Sequence, residues 1–394
     1  MLVPSRVLFA ASVCLAAALG PLACDGGGPL LLYVPTDGAG GGDGSLDGGD
    51  GDGSLDGSDP FADGGDAGLY PVLLSITANT AGDGPVDPGE LVVSRDVVMG
   101  TAVRASLLRR SPRELEDPTL LSSLGDDAAY FASRGLVLSY TWSVVDGASN
   151  GLPPPLAGLG WGSPVVASAM RASVDLALSK LPGGASYFVV GRDVDQYLSA
   201  HPSERASFEA FAKDFLGYVR AHPLSPKGAR VGVGFSFVSG APKDASFATL
   251  FAASDMMVVS YVPGLEKATA GSTGTIGADV DMMVEIAGDK PVMLESIGYP
   301  SSVAIGGSEV AQTLFVESTL SAILARRHRF AYVNVDMLYD LGLQRCAALA
   351  MKKGVPVDGP YAAFICSLGL RTASGVDKPA WPAFLQGASA FAPP

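Results

Sequence analysis

The chain has 394 residues, of which 48% are apolar and 17% are charged, so it can bury a sizeable core. Its formal net charge of −14 is unevenly distributed, because residues 25–68 hold ten Asp and no Lys or Arg, whereas residues 69–394 hold 25 basic and 30 acidic residues. No basic patch stands out, which argues against nucleic acid as a partner.

The first segment, residues 1–23, has the pattern of an export signal. Arg6 supplies a positive start, and the apolar run 7–19 is too short to span a bilayer comfortably. Cys24 stands where a lipoprotein signal places its acylated cysteine; a simple cleaved signal with an incidental cysteine is the alternative. We therefore expect an exported, lipid-anchored protein of the cell envelope, facing the periplasm or the outer surface, with this anchor as its sole membrane attachment.

The second segment, residues 24–68, predicts a disordered tether. Sixteen of residues 25–68 are Gly, and the hexapeptide Asp-Gly-Ser-Leu-Asp-Gly occurs twice, at 43–48 and 52–57. Such a composition cannot bury enough apolar area to offset the entropy of ordering it. The closely spaced Asp50, Asp52 and Asp56 allow a calcium-binding alternative, but the glycine and the distal glutamate of an EF-hand loop are missing.

The remaining segment, residues 69–394, alternates short apolar runs with segments of helical periodicity. Predicted strands are 72–78, 101–108 (the weakest), 136–142, 187–190, 230–237, 256–261, 291–297 and 331–337. Predicted helices include 165–180, 203–221 and 309–326. This alternation indicates parallel strands covered on both faces. About eight such units predict an α/β fold, a (β/α)8 TIM barrel, with its functional residues at the C-terminal ends of the strands.

Cysteine usage agrees with export. Cys14 lies in the signal and Cys24 would be lipidated, which leaves Cys346 and Cys366 as a pair. In an oxidising compartment a disulfide is expected, with two free buried thiols as the alternative. No histidine lies near the pair, so we predict no metal site, and nothing in the sequence predicts a cofactor.

Acidic residues occur near the ends of two predicted strands. Asp193 follows the fourth strand and Glu295 lies in the seventh, so the two would face each other across the barrel mouth. A facing carboxylate pair is what glycosidic bond cleavage requires. Lone acids at strand ends are also common as capping or structural groups, and both interpretations stay open on this observation alone.

Several motifs extend this interpretation. Residues 191–198 compare with G-N-E-V-D-x-Y-L, residues 254–263 with S-D-x-x-x-x-x-Y-Y-P, and residues 290–302 with K-P-V-x-L-Q-E-V-G-Y-P-S-S. With 338–340, 366–371 and 378–381, these stretches make residues 136–384 resemble secreted bacterial barrels of glycoside hydrolase clan A, near the family 53 endo-galactanases. The resemblance implies a carbohydrate ligand, poly- or oligosaccharide, and we expect a monomer.

The sequence departs from that group at both catalytic positions. Arg192 and Asp193 stand where the group has Asn and the general acid/base Glu, and Asp is one methylene shorter. A cation beside an acid also depresses its pKa, the wrong direction for a proton donor. Ser296 stands at the nucleophile position, and Glu295 precedes it. Since side chains alternate along a strand, Glu295 is predicted to point away from the barrel interior unless a bulge intervenes.

Three functions therefore remain. The favoured one is a degenerate enzyme or carbohydrate-binding barrel; the alternative is an active retaining glycosidase using Asp193 and Glu295. Ser296 as a hydrolase nucleophile is the third, but His201, His222 and His328 look like surface or helix-end residues and no Ser-His-Asp triad is expected. Predicted ligand-binding residues are Arg192, Asp195, Tyr261, Ser296, Tyr299, Trp142 and Asp340.

Overall fold

The computed structural model describes residues 72–84, 86–237 and 244–392. The predicted signal peptide, Cys24 and the predicted tether lie outside these residues. None of the helices in the described ranges is long and apolar enough to cross a membrane.

Eight parallel strands form a nearly closed barrel. The strands are β1 (Leu73–Ile76), β2 (Ala105–Arg110), β3 (Val137–Asp146), β5 (Tyr187–Arg192), β6 (Arg230–Ser236), β7 (Met257–Tyr261), β8 (Val292–Ile297) and β9 (Phe330–Val335), with a short β4 (Ser149–Asn150) antiparallel to the end of β3. Their hydrogen-bonded order is β1-β9-β8-β7-β6-β5-β3-β2. At the base of the barrel the Arg104 amide donates to the Leu74 carbonyl over 3.0 Å, which brings β1 and β2 together. The predicted (β/α)8 TIM barrel is confirmed, including its weakest strand.

Most of the helices cover the outside of the strands, and two near the C-terminus lie at the mouth of the barrel. They are α1 (Pro88–Met99), α2 (Pro112–Leu115), α3 (Pro118–Ala132), α4 (Pro164–Ser179), α5 (Val194–Ala200), α6 (Arg205–Ala221), α7 (Ala248–Ala253), α8 (Ile276–Ala287), α9 (Glu309–Leu324), α10 (Leu343–Lys352), α11 (Pro360–Ile365) and α12 (Ala380–Ser389). Asp117 and Ser308 cap α3 and α9, each accepting a hydrogen bond from a backbone amide of the first turn. The predicted helices 165–180, 203–221 and 309–326 correspond to α4, α6 and α9.

Two apolar layers follow from the alternation of side chains along each strand. One cluster joins residues of the strands alone, among them Tyr187, Val258 and Met293, and fills the barrel interior. The larger cluster joins strand residues such as Leu294 to the covering helices. Because both faces of these strands are apolar, polarity along the sequence does not tell the inner face from the outer one.

A disulfide joins Cys346 on α10 to Cys366, which follows α11. Their Cα atoms are 5.6 Å apart, so the predicted bridge is confirmed. The bridge closes a loop with a sequence separation of 20 residues, and this loop contributes Lys353 and Tyr361 to the barrel mouth.

Removing both sulfurs should destabilise the protein. We expect the double variant Cys346→Ser, Cys366→Ser to lose about 3 kcal/mol of unfolding free energy, because the unfolded chain regains the entropy of the open loop. Guanidinium denaturation of the oxidised parent and the double variant measures the difference. Equal midpoints would show that the bridge does not restrain the chain.

Candidate functional site

A β-bulge in β8 sets the direction of the two residues at the predicted nucleophile position. Val259 of β7 pairs with Leu294 and the next residue, Ser260, pairs with Ser296, so Glu295 is an extra residue without a partner on β7. The ladder between β8 and β9 shifts at the same place. A bulge re-aims side chains locally. Met293 lies in the barrel interior and Leu294 faces the helices, so alternation directs Glu295 inward, and the bulge lets Ser296 point inward beside it. The expectation that Glu295 points away from the barrel interior is therefore wrong.

Glu295 lies below the mouth, fully buried. Its Oε1 accepts hydrogen bonds from Thr141 Oγ1 over 2.9 Å and from Arg109 Nη2 over 3.2 Å. Its Oε2 is buried and has no hydrogen-bond partner within the described residues. Burial raises the pKa of Glu295, although Arg109 and Arg192 oppose the rise. The carboxyl group thus belongs to the packed interior beneath the cleft.

Asp193 lies at the mouth, in a tight turn between β5 and α5. Gly191 has φ +71°, and a Cβ there would lie 2.7 Å from Val194 Cγ2, so the turn requires glycine. Asp193 itself adopts the left-handed region with φ 48°, which is uncommon for a residue other than glycine. Ser260 Oγ donates a hydrogen bond to Asp193 Oδ1, and this contact directs the carboxylate towards β7.

Arg192 is the centre of the ionic contacts at the mouth. Its guanidinium lies 3.9 Å from Asp193, 3.8 Å from Asp336 and 4.0 Å from Asp146. Its Nη2 also donates to Ser296 Oγ over 3.3 Å. Burial works against the charged form, but the surrounding carboxylates outweigh it and raise the pKa of Arg192. Arg192 therefore stays cationic between the two positions at which the resemblance places catalytic glutamates.

Two further residues complete this network. Lys353 Nζ donates to Asp146 Oδ2 over 2.6 Å. Arg109 Nη1 lies 3.9 Å from Asp336 Oδ1. Burial alone would raise the pKa of Asp146, but Lys353 and Arg192 hold that pKa well below its usual range. Each carboxylate that faces the mouth is thus paired with a cation.

The network forms the floor of a cleft of about 1330 Å³, a volume that includes solvent at its opening. The disulfide-closed loop between Cys346 and Cys366 forms one wall, with Leu349, Tyr361 and Ile365 facing the cleft. Burial raises the pKa of Tyr361 to about 12, so its hydroxyl is a neutral hydrogen-bonding group. The cleft therefore combines a charged floor with a largely apolar wall.

The predicted aromatic residues lie elsewhere. Trp142 Nε1 donates to Ser173 of α4 over 3.2 Å, and Tyr261 donates to Asp279 of α8 over 2.7 Å. Tyr299 donates to the Gly271 carbonyl over 2.7 Å. All three side chains are buried between the barrel and its helices and do not line the cleft. Their predicted role as ligand-binding residues does not fit these positions.

Asp195 and Asp340 also serve the scaffold. Asp195 Oδ1 accepts from the Ser236 amide over 2.7 Å. Asp340 accepts from Lys378 over 2.7 Å and from the Gly369 amide over 3.0 Å, and so ties the C-terminal segment to the barrel. Neither lines the cleft. Of the predicted site residues, the structure brings together Arg192, Asp193 and Ser296 at the mouth, with Glu295 beneath them.

Sequence reasoning missed five residues of the site, namely Arg109, Asp146, Asp336, Lys353 and Tyr361. Arg109, Asp146 and Asp336 lie at or just after the C-terminal ends of β2, β3 and β9. The rule that functional residues lie at these strand ends, which led to Asp193, could therefore have found them as well. No sequence pattern pointed to Lys353 and Tyr361, because they do not follow a strand, and their loop comes to the mouth only when the chain folds.

Several solved structures have a fold similar to that of this chain. No protein-family model and no curated protein matches the chain. The structure is similar to GH5_18 from Streptomyces cattleya in complex with GlcNAc, at 15% identity over 82% of this chain and 81% of that chain, with a TM-score of 0.63. It is also similar to GH5_18 from Bifidobacterium longum subsp. longum, at 15% identity over 81% and 79% of the chains, with a TM-score of 0.61. At this identity the comparison supports the fold alone, a (β/α)8 barrel; the placement in glycoside hydrolase clan A, near family 53, stays a prediction.

Proposed function

We propose that this protein is an exported carbohydrate-binding protein whose barrel no longer hydrolyses glycosidic bonds. The observation that carries the proposal is the position of Arg192, whose guanidinium contacts both Asp193 and Ser296. A retaining mechanism needs a protonated acid and a free carboxylate about 5–5.5 Å apart on either side of the bond.

Neither part of that pair is available at the mouth. Asp193 accepts a hydrogen bond from Ser260 and lies 3.9 Å from the Arg192 guanidinium, so both residues compete with a leaving oxygen for its carboxyl group. Ser296 offers a hydroxyl bound to Arg192 in place of a nucleophilic carboxylate. Glu295, the neighbouring acid, is engaged by Arg109 and Thr141 below the cleft.

Carbohydrate is the proposed ligand class for two reasons. The similar barrel from Streptomyces cattleya holds GlcNAc, and a variant of the Bifidobacterium longum protein holds Manb1-4GlcNAc. The cleft of this chain also offers what a sugar needs, with charged hydrogen-bonding groups on its floor and Tyr361 with apolar neighbours on its wall.

A retaining glycosidase that uses Asp193 and Glu295 is the second candidate. The direction of Glu295 favours it, because the carboxyl group points into the barrel interior, towards Arg109 and Thr141. In that case a ligand would have to displace Arg109 from Glu295, breaking a contact of 3.2 Å.

The two candidates differ in turnover. We expect the purified full-length protein to bind a glycan on an array that includes β-galactan and Manβ1-4GlcNAc fragments, and to release nothing from aryl glycosides of the same sugars. Tyr361→Ala should weaken binding, and the exposed change Glu317→Ala should leave it unchanged. Turnover that Glu295→Gln abolishes and Ser296→Ala retains would establish the glycosidase instead.

We also propose that Cys24 carries the lipid that anchors the protein to a membrane. Cys24→Ser should move the protein from the membrane pellet into the soluble fraction, because acyl chains on this residue are the only attachment proposed. Fractionation of cells expressing the parent and the variant measures the shift. A variant that stays in the pellet would contradict the anchor.

A further inference from the structure

The seam between β1 and β2 holds a second pocket. These strands are the two ends of the hydrogen-bonded order, and no ladder joins them within the described residues. A pocket of about 950 Å³, including solvent at its opening, lies beside this seam. Its walls are formed by residues after β1, by β2, and by Arg95 and Phe131 of the helices α1 and α3. Arg109 and Leu349 border the cleft as well.

Arginine predominates among the charged residues of this seam pocket. Four arginines (Arg95, Arg109, Arg110 and Arg345) and the single carboxylate Asp127 line it. Two of the arginines are balanced from outside the pocket, since Glu295 and Asp336 pair with Arg109, and Glu90 pairs with Arg345.

The other two arginines share one acid. Arg95 Nη2 contacts Asp127 Oδ1, and Arg110 Nη2 lies 3.8 Å from Asp127 Oδ2. Arg95 is only 8% exposed, and its Nε is buried without a hydrogen-bond partner among the described residues. Arg109 Nε is likewise buried without a hydrogen-bond partner among the described residues. Leaving a buried charged donor unpaired is costly, so the pocket holds one positive charge and two donors more than the described residues satisfy.

The rest of the pocket is apolar. Leu107 and Leu108 of β2 and Phe131 of α3 provide walls beside the arginines. A guanidinium binds a carboxylate through two parallel N–H donors, and apolar walls exclude water from such a pair.

We infer that the seam pocket is a second binding site, which takes a small carboxylic acid with an apolar body. The carboxylate pairs with Arg95 and Arg110, and the apolar body lies against Leu107, Leu108 and Phe131. The two sites adjoin, because the seam pocket and the cleft share Thr77, Asn79, Arg109, Met337, Leu341 and Leu349. This inference does not depend on the proposed carbohydrate function.

Calorimetric titration of the full-length protein with 4-phenylbutyrate tests the site. We expect saturable binding, and binding at least about tenfold weaker for the neutral alcohol 4-phenylbutanol, because the alcohol cannot pair with the arginines. Arg95→Gln should also weaken the acid about tenfold. Ala78→Phe fills the seam pocket without changing a charge and should weaken acid and alcohol alike.

Matched controls separate the site from unspecific attraction and from misfolding. Arg171→Gln removes an arginine from an exposed ion pair with Asp214 and should leave the affinity for 4-phenylbutyrate unchanged. Near-UV circular dichroism verifies that each variant is folded. If Arg95→Gln does not fold, Ala78→Phe by itself tests the site. Equal affinities for acid and alcohol, no saturable binding, or an unchanged affinity in the folded variants would overturn the inference.

Discussion

Replacing Glu295 with Ala is expected to lower the free energy of unfolding by about 3–5 kcal/mol. The side chain is fully buried, and its carboxyl group accepts from Arg109 and Thr141. The variant leaves a void and removes the nearest acceptor of a mostly buried arginine. Urea denaturation measures the loss, and Glu317→Ala on the exposed face of α9 should change stability by no more than about 0.5 kcal/mol.

Glu295→Gln should cost less than Glu295→Ala, and its cost should depend on pH. Because burial raises the pKa of Glu295, the folded state holds the proton more tightly than the unfolded state does. The stability of the parent therefore falls as pH rises from about 4.3, the unfolded value, towards the folded pKa. Gln has no proton to lose, so the variant should gain stability relative to the parent over this window. A constant difference between the two would contradict a raised pKa.

Arg192→Ala should have the second large effect, also about 3–5 kcal/mol at neutral pH, because it leaves partly buried carboxylates without their shared cation. Arg192 contacts Asp146, Asp193 and Asp336. Once it is removed, Arg109 and Lys353 are the cations that still pair with these carboxylates in the described part of the chain. The exposed pair of Arg171 and Asp214 supplies the matched control, since Arg171→Ala should cost less than about 1 kcal/mol.

The loss of unfolding free energy caused by Arg192→Ala should be smaller at acidic pH. Lys353 and Arg192 hold the pKa of Asp146 below its unfolded value despite its burial. A depressed pKa contributes stability that is present above the unfolded value of about 3.9 and is lost as pH falls towards the folded pKa. The variant lacks part of this contribution, so parent and variant should converge below about pH 4. Denaturation curves at neutral and acid pH measure the change, and an equal deficit at both would show that lost packing, and not charge, causes it.

The sequence by itself determined the architecture of this protein. Eight apolar runs between amphipathic segments were sufficient to predict the barrel, because each strand must be covered on both faces and each helix on one. The weakest run, 101–108, contains the start of β2 (Ala105–Arg110). Cysteine count and export context predicted the bridge between Cys346 and Cys366. These features rest on composition and periodicity, which can be read locally.

Only the tertiary structure decided which side chains meet at the site. Glu295 was predicted to point away because Ser296 was given the inward position of a regular strand, but a bulge inserts one residue and lets both side chains point inward. Trp142 and Tyr261 point to the helices, and no local pattern shows this because both faces of their strands are apolar. Lys353 pairs with Asp146 over a sequence separation of 207 residues. Such a contact depends on how a distant loop folds over the mouth, and the residues next to either partner carry no information about it.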